Sequence, residues 1–285
     1  MAITAAFDLE TMQLDSVNAF VNSQMDEVVH CEFPDGYQVP GYCLLLDRAL
    51  YGLKRSPVLW QEEFSKTLSE LGLKAVPEEP CLWTDGKVIL FFFVDDIVLL
   101  ARKENRPEME ALKAKLCSRY EMRDLGELRW FLNIRIVRDR EQRKLWLLQD
   151  AYIDKLVDTF KVAGLPKAPT PLSATTRELV PYAGQATSQE VYAYQRRIGS
   201  EIYPGVMTRP DIAAAVSQLG SFLTNPSPLH LQQANNVIAY LRDTKHLCIE
   251  YSGRAPHALI ETTDSGADDS TVFKAASDAA YADDP

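Results

Sequence analysis

The feature that most constrains the fold is a pair of acids set inside the longest apolar run of the chain. Segments 87–94 and 97–102 are rich in apolar, β-branched and aromatic residues, and Asp95 and Asp96 stand between them. Short apolar runs of this composition are typical of buried strands. The acids mark the point at which the chain reverses. The pattern therefore predicts a buried β-hairpin that carries two adjacent carboxylates at its tip.

Two interpretations of this tip are open from the pattern alone. Asp is common in solvated turns, because its side chain accepts hydrogen bonds from the nearby backbone. Adjacent carboxylates on buried strands also suit Mg²⁺, which is usually held by one or two carboxylates together with substrate phosphates. Asp15, which follows an apolar, strand-like stretch, is the natural third carboxylate. Such a two-ion site activates an attacking 3′-hydroxyl and stabilises a leaving pyrophosphate.

Composition excludes several classes of protein. The chain has 285 residues, 46% of them hydrophobic, which suffices for one large domain or two or three smaller modules. Its five cysteines are odd in number, scattered and never spaced as C-x-x-C, which argues against a disulfide framework or a zinc knuckle. The apolar run that holds the acids is too short to span a bilayer, and no signal peptide is evident. We expect an intracellular protein, cytoplasmic or nuclear, that does not contact membranes.

Charge is unevenly distributed. The first hundred residues hold 6 Lys and Arg against 16 Asp and Glu, which equals the whole net charge of −10. Segment 111–145 holds 10 Lys and Arg against 5 Asp and Glu. This basic segment is either an ordinary solvated face or a strip that contacts nucleic-acid phosphates. The four histidines are dispersed, and neither a phosphate-binding P-loop nor a G-x-S-x-G elbow is present.

Local patterns predict a mixed α+β protein. Apolar residues at helical spacing predict a helix through Trp60 that stops at Gly72, and another that begins at Pro107. Shorter patterns predict strands over 27–33 and 42–46, a hairpin of 128–138 with 144–149, and a helix over 151–163. Prolines at 166, 169 and 171 predict a stiff connector. Segment 187–245 predicts three helices separated near 204–210 and 225–228, with boundaries near 165–175 and 253.

Six blocks in a fixed order resemble the reverse transcriptase of Ty1/copia-type LTR retrotransposons. The two that carry the acids are QLDSVNAFVN at 13–22 and FVDD at 93–96. The others are LYGLKRSPVLW at 50–60, MRDLGELRWFLNI at 122–134, IGS with TRPDI at 198–200 and 208–212, and YLRDT at 240–244. Any one block is weak, but six in register over about 230 residues identify the chain as a member of this family.

The resemblance implies an RNA-directed DNA polymerase with specific site residues. Asp15, Asp95 and Asp96 would be the catalytic carboxylates and the ligands of two Mg²⁺ ions, with Mn²⁺ as a substitute. Phe20 would be an aromatic gate against a ribose 2′-hydroxyl, or else a core residue. The remaining substrate-binding candidates are Tyr51, Gly52 and Lys54, which would lie near the incoming nucleotide. For Lys54, a solvated side chain without a role in binding is an equal alternative.

The resemblance also implies a domain order and partners. The expected fold is a polymerase palm-like antiparallel sheet with flanking helices, followed by a mainly helical thumb or connection region. We expect partial fingers and palm over 1–105, the palm end with a primer-grip-like hairpin over 106–170, and the helical region over 171–252. The partners would be an RNA or DNA template-primer and dNTPs, with Arg129, Arg135 and Arg138 meeting backbone phosphate.

Departures from the family pattern lead us to expect weak or no polymerase activity. Only 14 residues precede Asp15, so we expect the basic fingers segment that grips a triphosphate to be missing. Segment 253–285 is expected to be a linker and the start of an RNase H-like domain, with Asp278 as its first ligand and no RNase H activity. Ser23 and Asn133 replace glycines. The alternatives are a non-enzymatic nucleic-acid-binding remnant, a relic without a selected role and, more remotely, a metal-dependent nuclease.

Overall fold

The apolar run around the two acids forms the centre of a six-stranded antiparallel sheet. The computed structural model describes residues 1–173 and 179–253. Strands β6 (Val88–Phe93) and β7 (Asp96–Ala101) pair over their full length, which confirms the predicted hairpin. The sheet order is β4-β5-β6-β7-β1-β8, where the other four strands are β1 (Glu10–Ser16), β4 (Lys74–Val76), β5 (Glu79–Thr84) and β8 (Met122–Gly126).

One face of this sheet packs against two helices. Strand residues alternate between faces, so Leu14, Phe92 and Ile97 share a face, and they lie in one apolar cluster with Trp60 and Leu116. The last two belong to helices α2 (Ser56–Glu70) and α3 (Arg106–Arg119). Both predicted helices are confirmed.

A second, smaller sheet covers part of the opposite face. It has four strands in the order β12-β11-β10-β9. Val98 and Leu100 of β7 meet Ile136 and Leu145 of this sheet in a separate apolar cluster. The strands are β9 (Trp130–Phe131), β10 (Ile134–Asp139), β11 (Lys144–Leu148) and β12 (Ile249–Ser252), and helix α1 (Ala2–Phe7) lies against β12.

Two sets of predicted strands are wrong in extent. The expected strand over 128–138 begins only at Ile134, because Leu132 and Asn133 have positive φ and turn the chain between β9 and β10. The strands expected over 27–33 and 42–46 shrink to β2 (His30–Cys31) and β3 (Leu44–Leu45). No residue of β2 or β3 is buried, so this hairpin lacks the buried face that stabilises longer strands.

The chain beyond 149 is mainly helical within the described residues. Helices α4 (Asp150–Phe160), α5 (Ser188–Met207), α6 (Ala213–Gly220) and α7 (Pro228–Asp243) pack around their own apolar cluster. The three helices predicted after residue 187 are confirmed, but Pro204 lies inside α5 and not between helices. No helix of the described residues is both long and apolar enough to cross a membrane. The segment 253–285, expected to be a linker and the start of an RNase H-like domain, falls almost entirely outside the described residues, and Asp278 lies outside them.

A buried arginine joins the sequence block at 208–212 to the block at 240–244, which begins 28 residues farther along the chain. Arg209 is 1% exposed and forms an ion pair with Asp211. Its guanidinium also donates to the carbonyl and the hydroxyl of Thr244, at 3.2 and 2.6 Å. The Tyr240 hydroxyl donates to Asp211 at 2.9 Å. The blocks at 208–212 and 240–244 therefore form one clamp at the end of α7, and their role here is structural.

Replacing Arg209 by Met should destabilise the chain by roughly 2–3 kcal/mol, because it removes the charge partner of Asp211 and both hydrogen bonds from the guanidinium to Thr244. Denaturant unfolding followed by circular dichroism measures the change. Arg196→Met, at an exposed position of α5, is the control and should change the free energy of unfolding by less than about 1 kcal/mol. Equal effects of the two variants would contradict the clamp.

The helical cluster also contains an unusual carboxyl group. Glu201 of α5 is fully buried, and neither of its oxygens has a hydrogen-bond partner in the described part of the chain. Burial raises the pKa of Glu201 well above its ordinary value, and the charge of Arg197 opposes this shift only in part. The ionised side chain therefore destabilises the folded chain.

Glu201→Leu should raise the free energy of unfolding at pH 7 by roughly 1–3 kcal/mol. The pKa of Glu201 is higher in the folded chain than in the unfolded chain, where it is about 4.3. The free energy of unfolding is therefore highest below the unfolded pKa, where the side chain is neutral, and it falls as the pH rises through the folded pKa. The gain from the variant should therefore shrink as the pH falls towards 4. Urea unfolding at several pH values tests this, with exposed Glu62→Leu as the control; a gain independent of pH would contradict it.

Candidate active site

Strand register brings two of the three predicted carboxylates face to face. Strands β1 and β7 are antiparallel, and Asp15 lies directly opposite Asp96. Side chains at such positions point to the same face with Cβ atoms about 4.5–5.5 Å apart. The Ser16 N–H donates to the Asp95 carbonyl at 2.8 Å, which fixes the end of β1 beside the loop. The face in question is the one that α2 and α3 do not cover.

Asp95 lies in a two-residue loop, Val94-Asp95, between the paired residues Phe93 and Asp96. Val94 has φ 56°, a conformation that costs a β-branched residue on the order of 1–3 kcal/mol. The indole N–H of Trp60, which is 1% exposed, donates to the Val94 carbonyl at 2.7 Å. Helix α2 therefore holds the strained loop in place. The sequence predicted Trp60 as a packing residue and gave no sign of this bond.

The three acids form an electrostatically unfavourable group. Burial raises the pKa of Asp96, and the negative charges of Asp95 and Asp15 raise it further. A hydrogen bond from Gln13 opposes these effects: its side-chain Nε2 donates to Asp96 Oδ1 at 3.2 Å. A positively charged group bound beside these acids would relieve their mutual repulsion.

One basic side chain lies beside the acids. Arg123 of β8 pairs with Asp15 across the strands, and its guanidinium is 3.9 Å from Asp15 Oδ2. The Arg123 side chain is 71% exposed, so the ion pair is weak. Gln13 and Arg123 were not among the predicted site residues. The alternation of apolar and polar residues along β1 could have identified Gln13. A polar residue between buried Met12 and Leu14 lies on the same face of the strand as Asp15.

Tyr51 lies near the acids, and Phe20 packs against it. Phe20, on a 3₁₀ turn, is 6% exposed, and its ring centroid lies 4.4 Å from that of Tyr51, which is 57% exposed. Burial raises the pKa of Tyr51, and the charges of Asp95 and Asp15 add to this. Phe20 is thus a buried residue of the apolar cluster that packs against Tyr51, and its role as an aromatic gate stays a prediction.

The other predicted substrate-binding residues lie in the turn before α2. Gly52 has φ +96°, a left-handed conformation that favours glycine. Lys54 is exposed, and within the described residues it forms no ion pair. The Ser56 hydroxyl donates to the Leu50 carbonyl at 2.6 Å and closes this turn. The structure brings Tyr51 to the acids and leaves Lys54 in solvent.

The donor set fits Mg²⁺ in kind but is not a complete protein cage. In the described part of the chain, no three Asp, Glu, His or Cys side chains are arranged to hold a metal ion by themselves. Mg²⁺ demands no such cage, since it usually keeps several waters and takes one or two carboxylates with substrate phosphates. Facing Asp15 and Asp96, with Asp95 next to them, supply this kind of oxygen ligand.

The basic segment 111–145 is not a free phosphate-binding strip. Seven of its ten Lys and Arg side chains are within ion-pair distance of acids. Arg135 pairs with Asp150, and Arg138 pairs with Asp8, so two of the three arginines expected to meet phosphate are engaged within the chain. Of the two residues that replace glycines of the family pattern, Asn133 has φ 58°, a left-handed conformation that favours glycine, whereas Ser23 has φ −99°, which any residue adopts.

Comparison with known proteins identifies the family of the chain. A family model described as reverse transcriptase (RNA-dependent DNA polymerase) matches residues 1–174. The chain is 30% identical to the Pol polyprotein from transposon TNT 1-94 of Nicotiana tabacum over 90% of its own length and 20% of that polyprotein. It is 31% identical to the putative transposon Ty5-1 protein of Saccharomyces cerevisiae over 86% of its own length and 80% of that protein.

The Pol polyprotein from transposon RE1 of Arabidopsis thaliana is 32% identical over 81% of the chain and 16% of its own length. The chain thus spans a fifth or less of the two plant polyproteins and four fifths of the yeast protein. The family match covers more than half of the chain, and the yeast relative is matched over most of its length. The chain therefore belongs to the reverse transcriptase family of copia-type retrotransposons.

Proposed function

We propose that this chain is a polymerase segment that adds deoxynucleotides to a primer 3′-end under the direction of an RNA or DNA template. The observation that carries the proposal is the register of Asp15 opposite Asp96, with Asp95 in the adjoining loop. Strands distant along the chain bring carboxylates to one end of a buried sheet. This arrangement is costly without a cation, because it places like charges together.

In this proposal Asp15, Asp95 and Asp96 hold two Mg²⁺ ions, or Mn²⁺ in their place. When bound, such ions lower the pKa of the primer hydroxyl and stabilise the leaving pyrophosphate. The chain supplies orientation: Trp60 fixes the loop of Asp95, and the backbone bond between Ser16 and Asp95 fixes the end of β1. Asp15 and Asp95 would be the stronger ligands.

The aromatic pair beside the acids supports a role in choosing the sugar. Phe20 is held against Tyr51, so its ring cannot easily move away from a nucleotide seated over the acids. A rigid ring against the sugar would clash with a 2′-hydroxyl and admit a deoxyribose. Gly52 would let the backbone approach the nucleotide closely.

The larger architecture suggests a division of labour. The six-stranded sheet with α2 and α3 would be the palm, and the cluster of α4 to α7 the thumb or connection region. The alternative is a non-enzymatic nucleic-acid-binding remnant. Within the described residues, most basic side chains of segment 111–145 pair with acids, so this segment gives no reason to prefer that alternative to a polymerase.

Primer extension on an RNA template with Mg²⁺ tests the proposal. Synthesis by this chain is expected to be slow. Among the described residues, the basic side chain within ion-pair distance of the acids is Arg123, which lies beside Asp15, whereas a triphosphate normally requires several cations. Asp95→Asn should reduce any synthesis by at least about a hundredfold, since a lost ligand removes several kcal/mol of transition-state stabilisation.

Asp85→Asn is the matched control, because Asp85 also lies in a hairpin loop of the sheet, before β6, but away from the site. This variant should extend primers as fast as the unmodified chain. Fast synthesis by the unmodified chain would contradict the expected low activity, and synthesis that survives Asp95→Asn would contradict the assignment of the acids.

Phe20→Ala should raise ribonucleotide incorporation relative to deoxynucleotide incorporation by roughly tenfold or more, because steric discrimination of this kind is worth about 1–3 kcal/mol. Single-nucleotide extension in Mn²⁺ with dNTPs and rNTPs measures the ratio. Tyr51→Phe keeps the ring contact and is the control, for which the ratio should stay unchanged. A ratio unaffected by Phe20→Ala would assign Phe20 to the core alone.

A further inference from the structure

Gln13 is a buried polar residue that the proposed chemistry does not yet use. It is 6% exposed and lies between Met12 and Leu14, both of which face the helices. Because successive strand residues point to opposite faces, the Gln13 side chain lies on the face that carries Asp15. A buried amide must find a partner, since an unsatisfied one costs about 1–3 kcal/mol.

The partner of Gln13 is one oxygen of Asp96. On the β1–β7 ladder Gln13 lies opposite Val98, and Asp15 lies opposite Asp96, so the bond from Gln13 Nε2 to Asp96 Oδ1 runs diagonally across the strands. The amide nitrogen must face the carboxylate, because two oxygens at 3.2 Å would repel each other. The bond restricts rotation of the carboxylate and occupies one of its oxygens.

The chemical nature of this donor matters. A Lys or Arg at the same place would neutralise Asp96 and compete with a metal ion, whereas an apolar side chain would leave the carboxylate free to rotate. A neutral amide orients Asp96 and leaves its negative charge available. Hydrogen bonds of this kind to metal ligands typically change metal affinity by about 10–100-fold.

We propose that Gln13 is a positioning residue of the metal site, whose amide fixes the carboxylate of Asp96 so that its other oxygen is presented to a divalent cation. The inference rests on the proposed function, because it takes Asp96 as a metal ligand. It concerns binding of the ion and not the rate of synthesis, so it can be tested on a chain that polymerises slowly.

The experiment is a titration of the full chain with Mn²⁺ alone, in which electron paramagnetic resonance reports the free ion. Gln13→Met, which keeps the length of the side chain and removes the donor, should weaken Mn²⁺ binding by at least about tenfold. Gln13→Asn is a second variant that keeps an amide but is too short to reach Asp96, and it should weaken binding similarly. Thermal unfolding verifies that each variant is folded.

Thr11→Val is the matched control on the same strand. Thr11 lies on the same face of β1, and its hydroxyl accepts from the Leu128 N–H at 3.2 Å. The variant therefore removes a polar contact of β1 away from the acids, and it should leave Mn²⁺ affinity unchanged.

A double-mutant cycle with Asp96→Asn separates positioning from a general effect. If Gln13 acts through Asp96, Gln13→Met should have no further effect on Mn²⁺ affinity once Asp96 is replaced. An equal loss in both backgrounds, or unchanged affinity of Gln13→Met in the otherwise unmodified chain, would overturn the proposal while the metal site stands. If Asp15→Asn removes no Mn²⁺ binding, the proposed function itself is overturned.

Discussion

The pairing of β1 with β7 is the constraint on which the site depends. Apolar and polar residues alternate along β1, whereas β7 is apolar on both faces. The observed register buries the apolar face of β1 and one face of β7 against α2 and α3, while the other face of β7 packs on the second sheet. A shift by one residue would turn Leu14 away from the helices and Asp15 into them. The hydrophobic effect thus selects the register, and the register places Asp15 opposite Asp96. The positions of the acids follow from the packing of side chains that take no part in chemistry.

This packing also supports a group of side chains that works against stability. The loop residue Val94 is strained, and burial together with the charges of Asp95 and Asp15 raises the pKa of Asp96. Two neutral hydrogen-bond donors offset these costs from outside the acids: the indole of Trp60 on the loop carbonyl and the amide of Gln13 on the carboxylate. Neither donor brings positive charge. The acids are therefore held in place while their charge remains available to a cation.

The sequence predicts the parts of this structure that depend on periodicity. The hairpin around Asp95, the helix through Trp60 and the helices after 187 have patterns long enough to identify them, and the structure confirms all three. Contacts between distant residues have no such pattern. The bond from Trp60 to Val94 and the clamp of Arg209 on Thr244 require knowledge of which elements meet. For the same reason, a count of basic residues in 111–145 leaves a solvated face and a phosphate-binding strip both open, whereas the fold pairs most of these residues with acids.

The helical cluster is joined to the sheets through the second sheet and not through the acids. The Tyr203 hydroxyl of α5 donates to the Leu132 carbonyl in the β9–β10 turn, and the Thr208 hydroxyl donates to Gln149 at 2.7 Å, directly after β11. Because the turn at Leu132 adopts a left-handed conformation that few residues favour, the hydrogen bond from Tyr203 stabilises it. These contacts lie on β9 to β11 and not on β1 or β7, so the register that places Asp15 opposite Asp96 does not depend on them.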